Sequence, residues 1–192
     1  MKREKIEDYI YVTNVIPSNI CDEVINDIEK KDWYPHTWYN STSNVYVSEE
    51  TRELDVLSFD TKNHNILVPY VIEAARQYNM EYAYLDTERT NQIMSKFCAI
   101  RFNRYSNEQI MRKHYDHIHS IFDGEEKGIP VLSFVGNLNE DYEGGELVFF
   151  NGEVKLDLKK GDICMFPSCF MYPHQVYQVT KGKRYSFVTW GY

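Results

Sequence analysis

The sequence predicts an α+β, mainly β fold, a double-stranded β-helix or jelly roll supported by helices in its first half. Three observations predict it. Helical periodicity is confined to the first 92 residues, short β-branched and aromatic runs broken by Gly, Asn and Asp dominate from residue 93 onward, and Asn151-Gly152 joins two of those runs. The chain of 192 residues, 43% of them hydrophobic, is long enough for one sizeable core and short for two. A single domain is therefore expected over 1–192, with 1–92 as a mixed support region and 93–192 as the jelly-roll core that carries the site.

Taken in order, residues 18–31 place Ile20, Cys21, Val24, Ile25 and Ile28 on one helical stripe, after cap candidates in Pro17-Ser18-Asn19. A second helix is expected from about Pro69 to Met80, with Leu67, Val71, Ala74, Ala75 and Tyr78 near a common face. The polar stretch 37–65 between them reads as a loop able to close over a site; Trp38, Tyr39 and Tyr46 are its lid candidates, although packing is the safer expectation. Strands are expected at 93–105, 129–135, 146–150, 153–158, 163–166 and 184–190. Asn151-Gly152 is the signature of a two-residue hairpin turn, and Val154, Leu156 and Leu158 alternate with polar neighbours as a half-buried strand should. Gly144-Gly145 suits a tight turn or a close backbone approach.

Composition narrows the function. A net charge of −8 argues against a general nucleic-acid surface, which needs clustered Lys and Arg. No apolar stretch approaches a transmembrane span and no secretory signal is visible, so a soluble, cytoplasmic protein with no membrane partner is expected. The four cysteines, Cys21, Cys98, Cys164 and Cys169, form no CxxC pair and read as reduced, mostly buried thiols. Sixteen tyrosines suit a β-rich core or an aromatic-lined cleft.

The chemistry concentrates in Lys113-His114-Tyr115-Asp116-His117-Ile118-His119. On an extended strand, positions i and i+2 share a face, so His114 and Asp116 can bind one ion while His117 and His119 face the other way. His174 is the candidate third ligand. Two neutral imidazoles and one carboxylate on one face of an octahedral ion leave three positions open, the arrangement that serves Fe(II) oxygenases; a zinc site more often has four ligands or one open position. Ten residues beyond His174 stands Arg184, whose guanidinium can grip a carboxylate through two parallel bonds as the neighbouring Lys183 cannot. Arg184 shares a face with Ser186 and Val188, and Lys183 with Tyr185 and Phe187, but parity does not say which face lines a pocket. Trp190 reads as core, and His36 and His64 carry no partner pattern.

Arg104-Tyr105, His114-Tyr115-Asp116, Leu138-Asn139 with Glu143-Gly144-Gly145-Glu146-Leu147, Phe166-Pro167-Ser168, His174-x-Val176 and Gly182-Lys183-Arg184-Tyr185 form an ordered set. It resembles the prolyl 4-hydroxylase-like branch of the 2-oxoglutarate/Fe(II) oxygenases over about residues 95–191. The resemblance implies a dioxygenase domain in which His114, Asp116 and His174 hold iron, 2-oxoglutarate chelates it with its far carboxylate on Arg184, O2 is the oxidant, and ascorbate serves as reductant. Succinate and CO2 would be released as a C–H bond is hydroxylated, most readily in a peptidyl proline or another protein side chain. A free amino acid or other small molecule is the alternative substrate, and a non-catalytic jelly-roll module the alternative of another class. Tyr105 matches a position lining the co-substrate pocket. Many relatives carry a tyrosine just before the Leu-Asn pair; here Asn137 stands there, and its amide would donate the same hydrogen bond to the co-substrate with a shorter reach.

Overall fold

Strand alternation sorts the side chains of the second half onto two faces, one apolar and one partly polar, and the architecture follows from where each face is buried. The structure, a computed structural model, describes residues 5–40, 43, 45–47, 53–82, 94, 96–116 and 129–192, except the side chains of Tyr39 and Asn40. In chain order its elements are β1 (Tyr11–Asn14), α1 (Ser18–Ile28), β2 (Tyr34–Pro35), β3 (Trp38–Asn40), β4 (Val45–Val47), β5 (Asp55–Leu57) and α2 (Thr61–Tyr82). There follow β6 (Arg101–Tyr105), β7 (Met111–His114), β8 (Leu132–Asn137), β9 (Glu143–Gly144), β10 (Leu147–Phe149), β11 (Val154–Leu156), β12 (Asp162–Pro167), β13 (His174–Val176), β14 (Val179–Lys181) and β15 (Arg184–Gly191).

Seven strands form an antiparallel sheet in the order β1-β12-β8-β15-β6-β5-β2, and four form a second in the order β11-β10-β13-β7. The large sheet has two buried faces. Outward, Phe102, Ile163, Met165, Tyr185 and Phe187 pack with Cys21, Val24 and Ile28 of α1 and Leu67, Val71, Ala74, Ala75 and Tyr78 of α2. Inward, Tyr105, Val135, Cys164 and Phe166 meet Met111, Leu147, Phe149 and Val176 of the small sheet. These two opposed antiparallel sheets are the jelly roll, and the helices cover one side of it.

Several elements differ locally from the sequence expectation. Helix α2 begins eight residues before Pro69, because Asp60 caps it: its carboxylate accepts from Asn63 N at 2.9 Å. Pro69 is accommodated inside the helix. Helix α1 uses no side-chain cap despite Ser18 and Asn19. The hairpin around Asn151-Gly152 is wider than two residues, since Phe149 pairs with Val154. Phe150 turns left-handed (φ 51°) to donate its N–H to Pro173 O, and its ring packs on Tyr172 with centroids 5.8 Å apart. The stretch 37–65 contains β3, β4, β5 and the start of α2. Strand β6 begins only at Arg101, and β7 carries the ligand segment, ending at His114. The four cysteines are free thiols, Cys21 and Cys164 buried.

Candidate metal centre

Strands β7 and β13 are adjacent in the small sheet, and His174 pairs directly with His114. That register brings two imidazoles together with centroids 4.3 Å apart. Asp116, two residues past the end of β7, completes a cluster whose ligand atoms all lie within 4.8 Å of one another. Asp116 Oδ1 is 3.8 Å from His114 Nε2 and 3.9 Å from His174 Nε2. Such spacing suits three atoms around one ion.

Each donor atom is oriented by a neighbour. His114 Nδ1 lies 2.9 Å from Arg112 O and His174 Nδ1 lies 3.0 Å from Tyr172 O, so each Nδ1–H donates to a carbonyl and each Nε2 keeps its lone pair for a metal. The other Asp116 oxygen, Oδ2, accepts from Ser133 Oγ at 2.5 Å and from Trp190 Nε1 at 3.0 Å. This leaves Oδ1 to face the imidazoles. Burial pushes the Asp116 carboxyl up, but the two imidazoles and these two hydrogen bonds outweigh it and hold it below the usual carboxylate range. Burial, reinforced by His174, drives the His114 imidazole down to about 4. Both groups are in their ligating forms at neutral pH.

Arg184, at the first position of β15, stands behind two residues of the neighbouring pocket wall, Tyr105 and Ser186. It is 1% exposed, its Nη1 donates to Ser186 Oγ at 3.1 Å, and its Nε and Nη2 are buried without a partner. Lys183 points the other way, towards Glu29. Tyr105 pairs with Arg184 across β6 and β15, with the guanidinium carbon 5.1 Å from its ring centroid. Burial pushes the Tyr105 phenol up against the pull of Arg184 and Arg101, which keeps it a neutral donor. Between Tyr105 and the triad the pocket is walled by Asn103, Met111, Val135, Leu147, Val176, Ser186 and Val188.

Asn137 is placed differently. Its amide donates to Asn139 O at 2.6 Å and Leu158 O at 2.9 Å, and its Oδ1 accepts from Tyr142 OH at 3.3 Å. Both N–H protons are thus committed to carbonyls, and the residue is absent from the pocket wall among the described residues. Gly144 and Gly145 have φ of 78° and 69°, and a Cβ at Gly145 would lie 3.1 Å from Arg184 Cδ and 2.9 Å from Val179 Cγ2. Gly144 allows a close approach to the Gln178 backbone, and Gly145 one to the Arg184 side chain.

Sequence reasoning did not identify Ser133 and Trp190 as partners of Asp116, nor Arg101 as a pocket residue. Trp190 shares strand parity with Arg184, a signal that becomes usable once the inward face is known. Trp38 flanks the pocket, edge-on to His114 at 5.5 Å, and its Nε1 donates to Glu53. His36 also contacts Glu53, at 3.2 Å, and His64 Nδ1 accepts from Ile100 N. Tyr46 is 72% exposed. The Tyr39 side chain, His117 and His119 lie outside the described residues.

Residues 100–192 match the model of the 2OG-Fe(II) oxygenase superfamily, and all three residues of the cluster fall inside that span. That span is similar to a 2OG-Fe(II) oxygenase domain. A PKHD-type hydroxylase of Idiomarina loihiensis is 32% identical over 134 residues, covering 68% of this chain and 59% of the relative. One of Alteromonas mediterranea is 37% identical over 95 residues, 46% of this chain and 41% of the relative. The chain therefore spans about half the length of these curated relatives.

Solved structures share the fold. A prolyl 4-hydroxylase of Pseudomonas putida superposes with a TM-score of 0.66 at 17% identity, over 95% of this chain and 91% of that one. A viral collagen prolyl hydroxylase of Paramecium bursaria Chlorella virus-1, in a 2OG complex, gives 0.64 at 18% identity over 95% and 94%. A Trichoplax adhaerens prolyl hydroxylase bound to a hypoxia inducible factor peptide gives 0.68 at 16% identity over 96% and 83%. No helix among the described residues is long and apolar enough to cross a membrane.

Proposed function

We propose that this oxygenase domain uses Fe(II) and 2-oxoglutarate to hydroxylate a C–H bond in a polypeptide, a prolyl residue or another side chain. The observation that carries the proposal is the pairing of two features on one pocket. Two Nε2 atoms and one carboxylate oxygen converge as a metal set, and a buried guanidinium, with two donor atoms unpartnered among the described residues, stands against Tyr105 and Ser186 of the same pocket wall. The residues present fit both groups. His114, Asp116 and His174 would hold ferrous iron, and Arg184 would close on the far carboxylate of 2-oxoglutarate, whose two oxygens satisfy the orphaned N–H donors.

Bound there, iron and 2-oxoglutarate supply the oxidation: O2 is consumed, the co-substrate leaves as succinate and CO2, and one oxygen atom enters the C–H bond. The protein does the rest. Ser133 and Trp190 hold Asp116 so that Oδ1 faces the two imidazoles, the two backbone carbonyls keep both imidazoles in the Nε2-ligating tautomer, and Tyr105, its phenol neutral, would lie beside the co-substrate. Met111, Val135, Leu147, Val176 and Val188 keep water from the reacting centre. In this reading ascorbate would serve as the reductant. Asn137 organises the loop behind Arg184 in our view, and its contribution to the co-substrate is through that loop. The peptide-bound prolyl hydroxylase among the neighbours supports a polypeptide substrate for this pocket.

Anaerobic addition of Fe(II) and 2-oxoglutarate should give a visible charge-transfer band that His174→Ala or Asp116→Ala abolishes. Well-folded, metal-loaded protein without the band refutes the oxygenase reading. Succinate release across peptide and amino-acid libraries, with mass spectrometry locating the added oxygen, tests the substrate class; turnover of free amino acids alone refutes the polypeptide.

A further inference from the structure

The pocket wall contains a second guanidinium that the proposed chemistry does not use. Arg101 lies on β6, on the same inward face as Asn103 and Tyr105, and pairs with Val188 of β15. It is four residues from Tyr105, the partner of Arg184, so it stands on the order of 13 Å along the strand from the co-substrate anchor. That places it at the level of the metal set. Its guanidinium carbon is 5.9 Å from the ring centroid of Trp190, the residue that donates to Asp116. Its Nε is shut off from solvent with no partner, and no hydrogen bond or ion pair from Arg101 exists among the described residues.

Its neighbours show why this arrangement needs a ligand. Arg104 is paired to Asp55 and Glu29, and Arg112 to Glu53, so the surrounding acidic groups are already matched. Arg101 and Asp116 are the charged side chains of the pocket wall and Arg184 stands behind it on Tyr105 and Ser186, so among the described residues two guanidiniums face one carboxylate. Ferrous iron adds two positive charges and 2-oxoglutarate two negative ones. Loading the site would therefore leave its single excess positive charge unchanged, and Arg101 is a partly buried guanidinium whose Nε is closed off from water, where an uncompensated charge is costly. Both co-substrate carboxylates would also be engaged in that reading, one by Arg184 and one by the metal.

We propose that Arg101 binds a carboxylate of the substrate, so that the hydroxylated carbon lies close to an acidic side chain, a free C-terminus or an α-carboxylate. The inference rests on the oxygenase reading above. A bidentate Arg–carboxylate pair beside the metal fixes both the position and the orientation of the target carbon.

The test uses the anaerobic Fe(II)·2-oxoglutarate complex of the full chain, with its charge-transfer band as the readout of binding. Proline-containing peptides flanked by Asp or Glu are titrated beside their Asn and Gln counterparts, and free-acid peptides and amino acids beside their amides. Acids should bind about tenfold or more tighter than the matched amides. Arg101→Gln should erase the preference, Arg101→Lys should keep part of it, and 2-oxoglutarate affinity should change less than about threefold in both. Whether peptides or free amino acids carry the effect identifies the source of the carboxylate. A parent protein with no acid preference across the set overturns the proposal, as does an Arg101→Gln variant whose 2-oxoglutarate affinity falls tenfold or more, which assigns the guanidinium to the co-substrate. An intact band in the variants shows that their metal site is folded. Absence of the band in the parent refutes the oxygenase reading instead.

Discussion

Removing the two donors to Asp116 Oδ2 separates orientation of the metal ligand from its presence. Trp190→Phe deletes the 3.0 Å hydrogen bond and keeps an aromatic ring in the sheet; Ser133→Ala deletes the 2.5 Å bond and little volume. A hydrogen bond to a charged group contributes about 1.5–3 kcal/mol, and losing a partner that orients a metal ligand typically weakens binding about 10–100-fold. Trp190→Phe, which breaks the longer bond, should weaken Mn(II) or Co(II) binding about tenfold. Ser133→Ala should weaken it by about 10–100-fold. Because both donors hold one carboxylate rotamer, the double variant should show a coupling of about 0.5–3 kcal/mol in a thermodynamic cycle. Both hydrogen bonds also lower the Asp116 carboxyl, so their removal lets burial raise it. The acid edge of metal binding should then move to higher pH. Calorimetric titration of metal into each variant at several pH values measures both effects. Binding within twofold of the parent in the folded double variant, with an unmoved acid edge, would refute the view that these bonds orient the ligand.

Three further outcomes follow from the geometry. Arg184→Met should weaken 2-oxoglutarate binding by about 3 kcal/mol, roughly 150-fold, while the melting temperature of the co-substrate-free protein stays level or rises, because the parent buries two unpartnered donor atoms there; calorimetry and a thermal melt check the two halves. Asn137→Ala strands two carbonyls and a phenol, so it should destabilise the fold by about 1–3 kcal/mol in urea titrations. A loss confined to 2-oxoglutarate affinity would instead make Asn137 a co-substrate donor. Finally, the His114 imidazole is held down to about 4 in the fold, against about 6.5 when unfolded. The unfolded chain binds the extra proton first, so metal-free stability from this group is complete above about pH 6.5 and declines as pH falls towards 4. His114→Gln should flatten that part of a pH series of urea midpoints.

Much of the site was legible in the sequence because its chemistry is local. The two-residue step from His114 to Asp116 reflects strand geometry, and the apolar stripes of α1 and α2 reflect the helical period. Boundaries were less legible, for reasons found outside the segments concerned. Asp60 starts α2 well before Pro69, and the pull of Pro173 and Tyr172 on Phe150 widens a turn that Asn151-Gly152 alone would make tight.

The residue types of a candidate metal site, their order and the mainly β class were legible from the sequence alone, since these depend on side-chain chemistry and backbone period. Which face of β15 looks inward was decided only by the tertiary structure. Two parities are equivalent until the helices bury Tyr185 and Phe187, and that burial is what turns Arg184, Ser186, Val188 and Trp190 towards the metal set. The fates of Asn137 and Arg101 were decided the same way. An amide used up by two carbonyls and a guanidinium left without a partner differ by what surrounds them, and those surroundings come from distant parts of the chain.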